Sequence, residues 1–491
     1  MNRDKLLILT YGGTQAEALA RQLRGCQIYC ELMPVDTPAA EIAAQAPRGV
    51  ILAGVNASGD VTQGPQCDPA LYDMGLPVLA IGHGARCMAQ QLGGAARHTA
   101  LEDQTLQLHF VSSSPLFAGL SYSDRRITRL DMVDLPAGFS VIAHGHGLAA
   151  AFACEEKKLY AMQFGVESND PDGLQILDHF AVDICGCERW WTTENIISSI
   201  IEEIRETVGD GHALMALSGG VDSSVCATLM HRAIGEQMHC LYIDTGLMRK
   251  GDTRVVREVF GEGMGIAIHC VNARDRFFGR LKGLSSPQEK WAAISDEFSI
   301  IYREEAARFS GVDFLVKGTI YSDTLSFSND EQNLGGLTGY QLIEPARFLF
   351  KDEVRAVGEM LGLSPEITQR QPLPGSGLAM RITGEVTMEK LFIVREADAI
   401  LREEIEAAGL SRRIRRYCAQ LAETTSTGEK HCRYVVALRA LTRSGNALTG
   451  YRLPYDLLER ATERILAALP LVDRVVYDLT PNPPRPVEWE M

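Results

Sequence analysis

Leu217-Ser218-Gly219-Gly220-Val221-Asp222-Ser223-Ser224-Val225 is the stretch from which the fold can be read. It comes straight after the apolar, strand-like segment Ala213 to Leu217 and runs into a helix. Two adjacent glycines allow a tight turn with backbone N–H groups pointing inward. Ser218, Ser223 and Ser224 add hydroxyl donors, and the helix start contributes partial positive charge. The combination is a cradle for pyrophosphate, and a glycine pair flanked by hydroxyls after a strand is far more specific than a lone GxGxxG. Asp222 stands where a carboxylate can serve a magnesium–pyrophosphate group or cap the helix dipole. A parallel α/β sheet is implied, with ligands at the carboxyl ends of its strands. Asp244, ending the apolar run Cys240 to Ile243, is placed in the same way.

The rest of the chain is consistent with several such units. At 491 residues and 46% hydrophobic it is long enough for two or three domains with sizeable cores. A formal charge of −15, with no basic block in view, argues against nucleic-acid binding. Asn2-Arg3-Asp4-Lys5 precedes only a short apolar run, so neither a signal peptide nor a membrane span is expected, and the protein is predicted to be cytoplasmic. The 12 cysteines are scattered, and Cys185-Gly186-Cys187, the one close pair, has no second pair at ligand spacing, so no zinc site is expected. Short apolar runs at Leu6 to Leu9, Gly49 to Leu52 and Pro77 to Ile81 alternate with helix-like segments, the rhythm of a doubly wound sheet. Residues 191 to 210 read as an amphipathic linking helix, and Gln371-Pro372-Leu373-Pro374-Gly375-Ser376-Gly377 breaks regular structure at a further boundary.

Other segments carry a family signature. They are WWTTENIISSIIEEIRETVGDG at Trp190 to Gly211, YIDTGLMRKGD at Tyr242 to Asp252, KGTIYSD at Lys317 to Asp323, EPARFLFKDEVRAVGEMLGL at Glu344 to Leu363, RQPLPGSGLAMRITGEV at Arg370 to Val386, and DRVVYDLTPNPPRPVEWE at Asp473 to Glu490. Together with the cradle, which resembles the PP-loop of ATP pyrophosphatases, they resemble the GMP synthase family over essentially the whole chain. The resemblance implies an α/β protein of three domains: a class I glutamine amidotransferase-like doubly wound domain at 1–189, a PP-loop ATP pyrophosphatase with a Rossmann-like parallel sheet at 190–371, and a small α+β dimerisation domain at 372–491. It implies a homodimer that uses ATP and Mg2+ to adenylate a carbonyl oxygen of the purine nucleotide XMP, with ammonia then displacing AMP. By resemblance, Ser218, Gly219, Gly220, Val221, Asp222, Ser223, Ser224, Asp244 and Gly318 bind the nucleotide. Asp222, Asp323 and Arg381 are the catalytic candidates, Asp222 also holding the metal, and Arg381, Lys430, Arg485 and Glu490 face the acceptor.

Departures from the family pattern sharpen the expectation. The nucleophile elbow, usually LGICYGMQLMAQQLGG, reads here as LAIGHGARCMAQQLGG, with Gly82 where the cysteine belongs. The usual QFHPE is Gln163-Phe164-Gly165-Val166-Glu167, so Gly165 replaces the general-base histidine and Glu167 has nothing to orient. The oxyanion turn SGGP is matched by Ala53-Gly54-Val55-Asn56. Covalent amide hydrolysis needs a nucleophile and a base in reach of one another, so glutaminase activity is predicted to be absent. Cys87 lies five residues past the elbow tip, and His83, His144 and His146 have no nucleophile at a recognisable spacing. On the acceptor side, the usual KPPATIEWE becomes Asn482-Pro483-Pro484-Arg485-Pro486-Val487-Glu488-Trp489-Glu490, and the lid KSHHNVGGL becomes Ser328 to Leu337 with two added acids. Three functions stay open on these residues: a ligase fed by free ammonia or by a separate glutaminase, a divergent PP-loop ligase with another acceptor, and a nucleotide-binding protein without turnover.

Overall fold

The computed structural model describes residues 4–54, 64–99, 101–166, 170–309, 311–325, 339–424, 434–444, 447–482 and 487–489. The chain packs as two compact units, Met1–Asn195 and Ile196–Met491.

The first unit carries β1 (Leu6–Thr10), β2 (Cys30–Pro34), β3 (Gly49–Ala53), β4 (Val78–Ile81), β5 (Ala95–Arg97), β6 (Glu102–Phe110), β7 (Tyr122–Arg129), β8 (Met132–Asp134), β9 (Ser140–Gly145), β10 (Leu148–Cys154) and β11 (Leu159–Met162). Nine of them form one sheet in the order β2-β1-β3-β4-β11-β10-β9-β6-β7, and β5 pairs with β8 apart from it. The β2-β1-β3-β4-β11 part is parallel, and these strands include the continuous apolar runs read from the sequence, as burial on both faces requires. The remainder is antiparallel. The doubly wound rhythm therefore describes only half of the sheet. The reason is local: β9 and β10 are joined by His146-Gly147, both at positive φ (48° and 74°), a hairpin turn that forces antiparallel pairing. Leu7, Leu9, Val50, Leu52, Val78, Ala80 and Met88 share this unit's core.

In the second unit β12 (His212–Ala216), β13 (Met238–Asp244), β14 (Ile268–Asn272), β15 (Val312–Val316) and β16 (Gln341–Ile343) form a wholly parallel sheet in the order β14-β13-β12-β15-β16. Successive strands leave β12 first on one side and then on the other. The loop after β12, which is the glycine-rich cradle, thus lies where strand order reverses, and a crevice opens at the strands' carboxyl ends. β17 (Arg416–Glu423), β18 (Tyr434–Ser444) and β19 (Ala447–Gly450) form an antiparallel sheet, with β20 (Val472–Asp478) parallel to β18. One hydrophobic core links both sheets, from Leu214 and Leu241 through Leu401 and Ile405 to Val436 and Ile465. The boundary expected near residue 371 falls inside this unit. Among the described residues, no helix is long and apolar enough to cross a membrane.

Candidate functional site

Gly219 sits at φ 74°, and a Cβ there would meet Val256 Cγ2 at 2.8 Å, so glycine is required on both counts. Gly220 is the extended N-cap residue of the helix Val221–Ile234. Its N–H donates to Ser218 Oγ at 3.3 Å, Ser223 Oγ donates to the Gly220 carbonyl at 3.0 Å, and the two serine hydroxyls lie 2.9 Å apart. Arg370 donates to the Gly219 carbonyl at 2.6 Å and also pairs with Asp252, bracing the strained turn from outside. Lys351, the first residue of the helix Lys351–Met360, donates to both Asp222 carboxylate oxygens at 2.7 and 2.6 Å.

These groups form one end of a cavity of about 470 Å³. Ser218, Gly220, Asp222, Lys351 and Arg370 make its polar end, whereas Leu241, Ile243, Trp291, Ile294, Phe298 and the Pro372–Pro374 loop make an apolar wall. Trp291 remains 58% exposed on the rim. A phosphate-sized polar end joined to a flat apolar slot is the shape of a nucleotide site. Asp222 is the single carboxylate among the lining residues, which suits magnesium, an ion that takes one or two carboxylates and completes its shell with phosphate and water.

The far wall is held by arginines. Arg249 donates to the carbonyls of Gln371 (2.7 Å) and Pro372 (3.0 Å), and Arg395 donates to those of Met248 (2.8 Å) and Gly246. Leu378 N–H closes the contact on Leu247 O at 2.8 Å, and Gly377, at φ 66°, approaches so closely that a Cβ would lie 2.5 Å from that carbonyl. Gly377→Ala is accordingly expected to destabilise the fold by about 2 kcal/mol or more through left-handed strain plus the clash. It should also loosen nucleotide binding, and a melting curve with and without ATP reads both effects.

Of the anticipated site residues, Ser218, Gly220, Val221 and Asp222 line the cavity, whereas Gly219, Ser223, Ser224, Asp244, Gly318, Asp323 and Arg381 do not. Ser224 is 0% exposed in the helix Val221–Ile234, and its hydroxyl has no hydrogen-bond partner. The Asp244 carboxylate is taken by Arg274 at 3.0 and 2.7 Å and by the Gly246 N–H at 3.0 Å. Asp323 caps the short helix Tyr321–Thr324 by accepting the Ile320 N–H at 3.0 Å. Arg381 is 2% exposed and donates to Asp398 at 2.8 Å, with Glu488 3.6 Å away, so it positions structure instead of facing ligand. Gly318 packs on the cradle helix, where a Cβ would lie 3.3 Å from Ser223 N. Glu167, Lys430, Arg485, Glu490, Val55, Asn56 and the lid Ser328 to Leu337 lie outside the described residues. Lys351, Arg370 and Trp291 escaped sequence reasoning. Lys351 is 129 residues from Asp222 and Arg370 151 from Gly219, separations that no local pattern reports.

In the first unit Gly82 follows β4 and caps the helix His83–Gln91 at φ 59°, ψ −109°, its N–H donating to Met162 O at 2.8 Å. This is a sharp strand-to-helix turn whose apex residue is a glycine. A Cβ at Gly82, and equally at Gly165, would meet no heavy atom within 4 Å. Cys87 offers no substitute: it is 1% exposed, its Sγ lies 3.4 Å from His83 Nε2, and burial pushes its thiol up to about 11. His144 and His146 are exposed in the β9–β10 hairpin. Gln163 is a buried structural amide, donating to Asp131 O at 2.9 Å and Ala149 O at 2.8 Å.

Comparison with known proteins agrees with both units. Residues 7–184 match the family described as glutamine amidotransferase class-I, and residues 403–489 match the GMP synthase C terminal domain. A protein of Thermomicrobium roseum named GMP synthase [glutamine-hydrolyzing] is 43% identical, over 99% of this chain and 97% of its own length. Proteins of the same name from Geobacillus kaustophilus (41%, all of both chains) and Symbiobacterium thermophilum (41%, 99% of each) are similarly close.

Proposed function

Since the chain belongs to the GMP synthase family of ligases, we propose that it aminates a purine nucleotide, XMP, at the expense of ATP while lacking a glutaminase of its own. The observation that carries the second part is Gly82, an intact elbow with no side chain, reinforced by Gly165. Its relatives are named as glutamine-hydrolyzing, so this is a difference within the family. Nitrogen then enters as free ammonia or from a separate glutaminase. A homodimer through residues 372–491 belongs to the same reading.

In the ligase half, the XMP carbonyl oxygen attacks the α-phosphorus of ATP and pyrophosphate leaves. Ammonia then adds to the activated carbon and AMP departs with the oxygen. Magnesium, when bound, neutralises phosphate charge. The chain's own part is positional and electrostatic. The cradle N–H groups with Ser218 and Ser223 orient the phosphates, Lys351 faces the departing pyrophosphate, Asp222 would hold the magnesium, which would supply charge neutralisation, and the Trp291–Phe298 wall takes the base.

The test is to incubate the purified protein with MgATP and XMP, supplying either ammonium or glutamine, with ATP alone as control, and to resolve the nucleotides. GMP is expected with ammonium and not with glutamine. GMP made from glutamine would refute the reading of Gly82 and Gly165. A second reading, another carbonyl acceptor, is favoured by Asn482 in place of the family lysine. It predicts pyrophosphate release that XMP does not stimulate.

A further inference from the structure

Behind the nucleotide cavity lies a second, polar one of about 390 Å³, lined by Arg355, Arg412 and Arg415 together with Ser411, Gln369 and Gln371. Its arginines come from two distant places. Arg355 lies on the helix Lys351–Met360, whereas Arg412 and Arg415 belong to Arg412-Arg413-Ile414-Arg415-Arg416, a basic run of four arginines in five residues. Gln371 lines both cavities, so the two are neighbours.

The charges here are only partly neutralised from within, by Glu359 in the lining and by Asp222 acting on Arg355. Arg355 is held by backbone carbonyls, Thr368 O at 2.7 Å and Arg370 O at 3.4 Å, while its buried Nε has no hydrogen-bond partner. Burial first, and then the charge of Arg415, hold the Arg355 guanidinium below its ordinary value. Among the described residues no carboxylate pairs with Arg412 or Arg415. The one acid in the lining, Glu359, accepts from Gln369 Nε2 at 2.6 Å. Three guanidiniums against one carboxylate leave an excess that a dianion would balance.

We propose that this cavity is a binding site for a phosphomonoester dianion, gripped by Arg355, Arg412 and Arg415. Guanidinium forks match phosphate oxygens in pairs, and the shared Gln371 puts the dianion beside the nucleotide site. In this chain, where the family's terminal lysine is Asn482, the phosphate of the acceptor nucleotide and free inorganic phosphate are the two sources of that chemistry. The ligase reading is needed only for the first of them.

Calorimetric titration of the full chain with inorganic phosphate and, separately, with XMP tests the site without requiring turnover. The native protein is compared with the Arg412→Gln/Arg415→Gln variant and with Arg474→Gln, which changes a side chain 75% exposed on β20. The substituted arginines are exposed, so folding should be kept. Affinity should fall about tenfold or more in the double variant, the worth of one charge-assisted contact, and stay constant in Arg474→Gln. Weakening of both ligands assigns the phosphate to the acceptor nucleotide, and weakening of inorganic phosphate alone assigns it to the free ion. If neither ligand responds to the double variant, or Arg474→Gln weakens them equally, the site does not exist. Absence of GMP formation would sink the ligase reading but leave this result standing.

Discussion

Lys351→Ala should lower ATP-dependent release of AMP and pyrophosphate by roughly 10²- to 10³-fold, the usual loss when one preorganised donor to developing charge is removed. Two effects act together. The variant loses one of the two cations at the cavity's polar end, and it leaves the Asp222 carboxylate, paired with Lys351 at 2.6 Å, as an uncompensated negative charge facing a triphosphate. Stability should change little, because both side chains are more than a quarter exposed and such pairs are worth at most about 1 kcal/mol. Steady-state kinetics with a melting curve separates the two. The Asp222→Asn/Lys351→Ala double variant should bind ATP more tightly than Lys351→Ala alone, since the repulsion is gone, yet stay inactive for want of the metal carboxylate. Activity within about twofold of native in Lys351→Ala would remove Lys351 from the phosphate site.

Asp398→Asn is expected to cost about 3–5 kcal/mol of folding stability, the penalty for stranding buried charge. Asp398 is 0% exposed, with Arg381 Nη1 at 2.8 Å, Arg402 Nε at 3.1 Å and Arg249 Nε at 3.3 Å. Asparagine keeps the shape but leaves Arg249 without its ion-pair partner and Arg381, equally buried, with Glu488 at 3.6 Å as its remaining carboxylate. Because Arg249 also holds the Gln371–Pro372 wall, the variant should show a raised KM for ATP as well as a lower urea midpoint. An unchanged midpoint would mean the cluster is hydrated or otherwise compensated. The same group sets a pH dependence. Burial alone would raise the Asp398 carboxyl, but the charges of Arg249, Arg381 and Arg402 outweigh it and hold the folded value below the ordinary 3.8. A depressed carboxylate contributes stability that is fully present above the unfolded value and is lost as pH falls through the folded one. Native protein should therefore lose stability below about pH 4 more steeply than Asp398→Asn, measured as urea midpoints across acid pH.

Legibility in the sequence followed the range of the interaction. The cradle is local: a strand, two glycines and a helix start within a dozen residues dictate their own geometry, and the buried parallel strands announce themselves as apolar runs because both faces are covered. The glycine at position 82 is equally local, an apex without a side chain that no fold can supply. Which donor a carboxylate takes was not legible, whether the donor is distant or local. Asp244, at the right strand end, is claimed by Arg274, and Asp323 by its own helix start, because a carboxylate takes the nearest donors that folding supplies. Arg381 was drawn into the core by Asp398. Lys351, Arg370 and the Arg355–Arg412–Arg415 cavity exist only once the sheet has brought distant segments together. Sequence alone thus determined the α/β class, the strand–glycine–helix turn at Ser218 to Ser223 and the glycines at positions 82 and 165, since each depends on backbone geometry or atoms fixed within a short segment. Tertiary structure alone decided which charges line the cavity, since electrostatic partners are chosen by distance in space and not by separation along the chain.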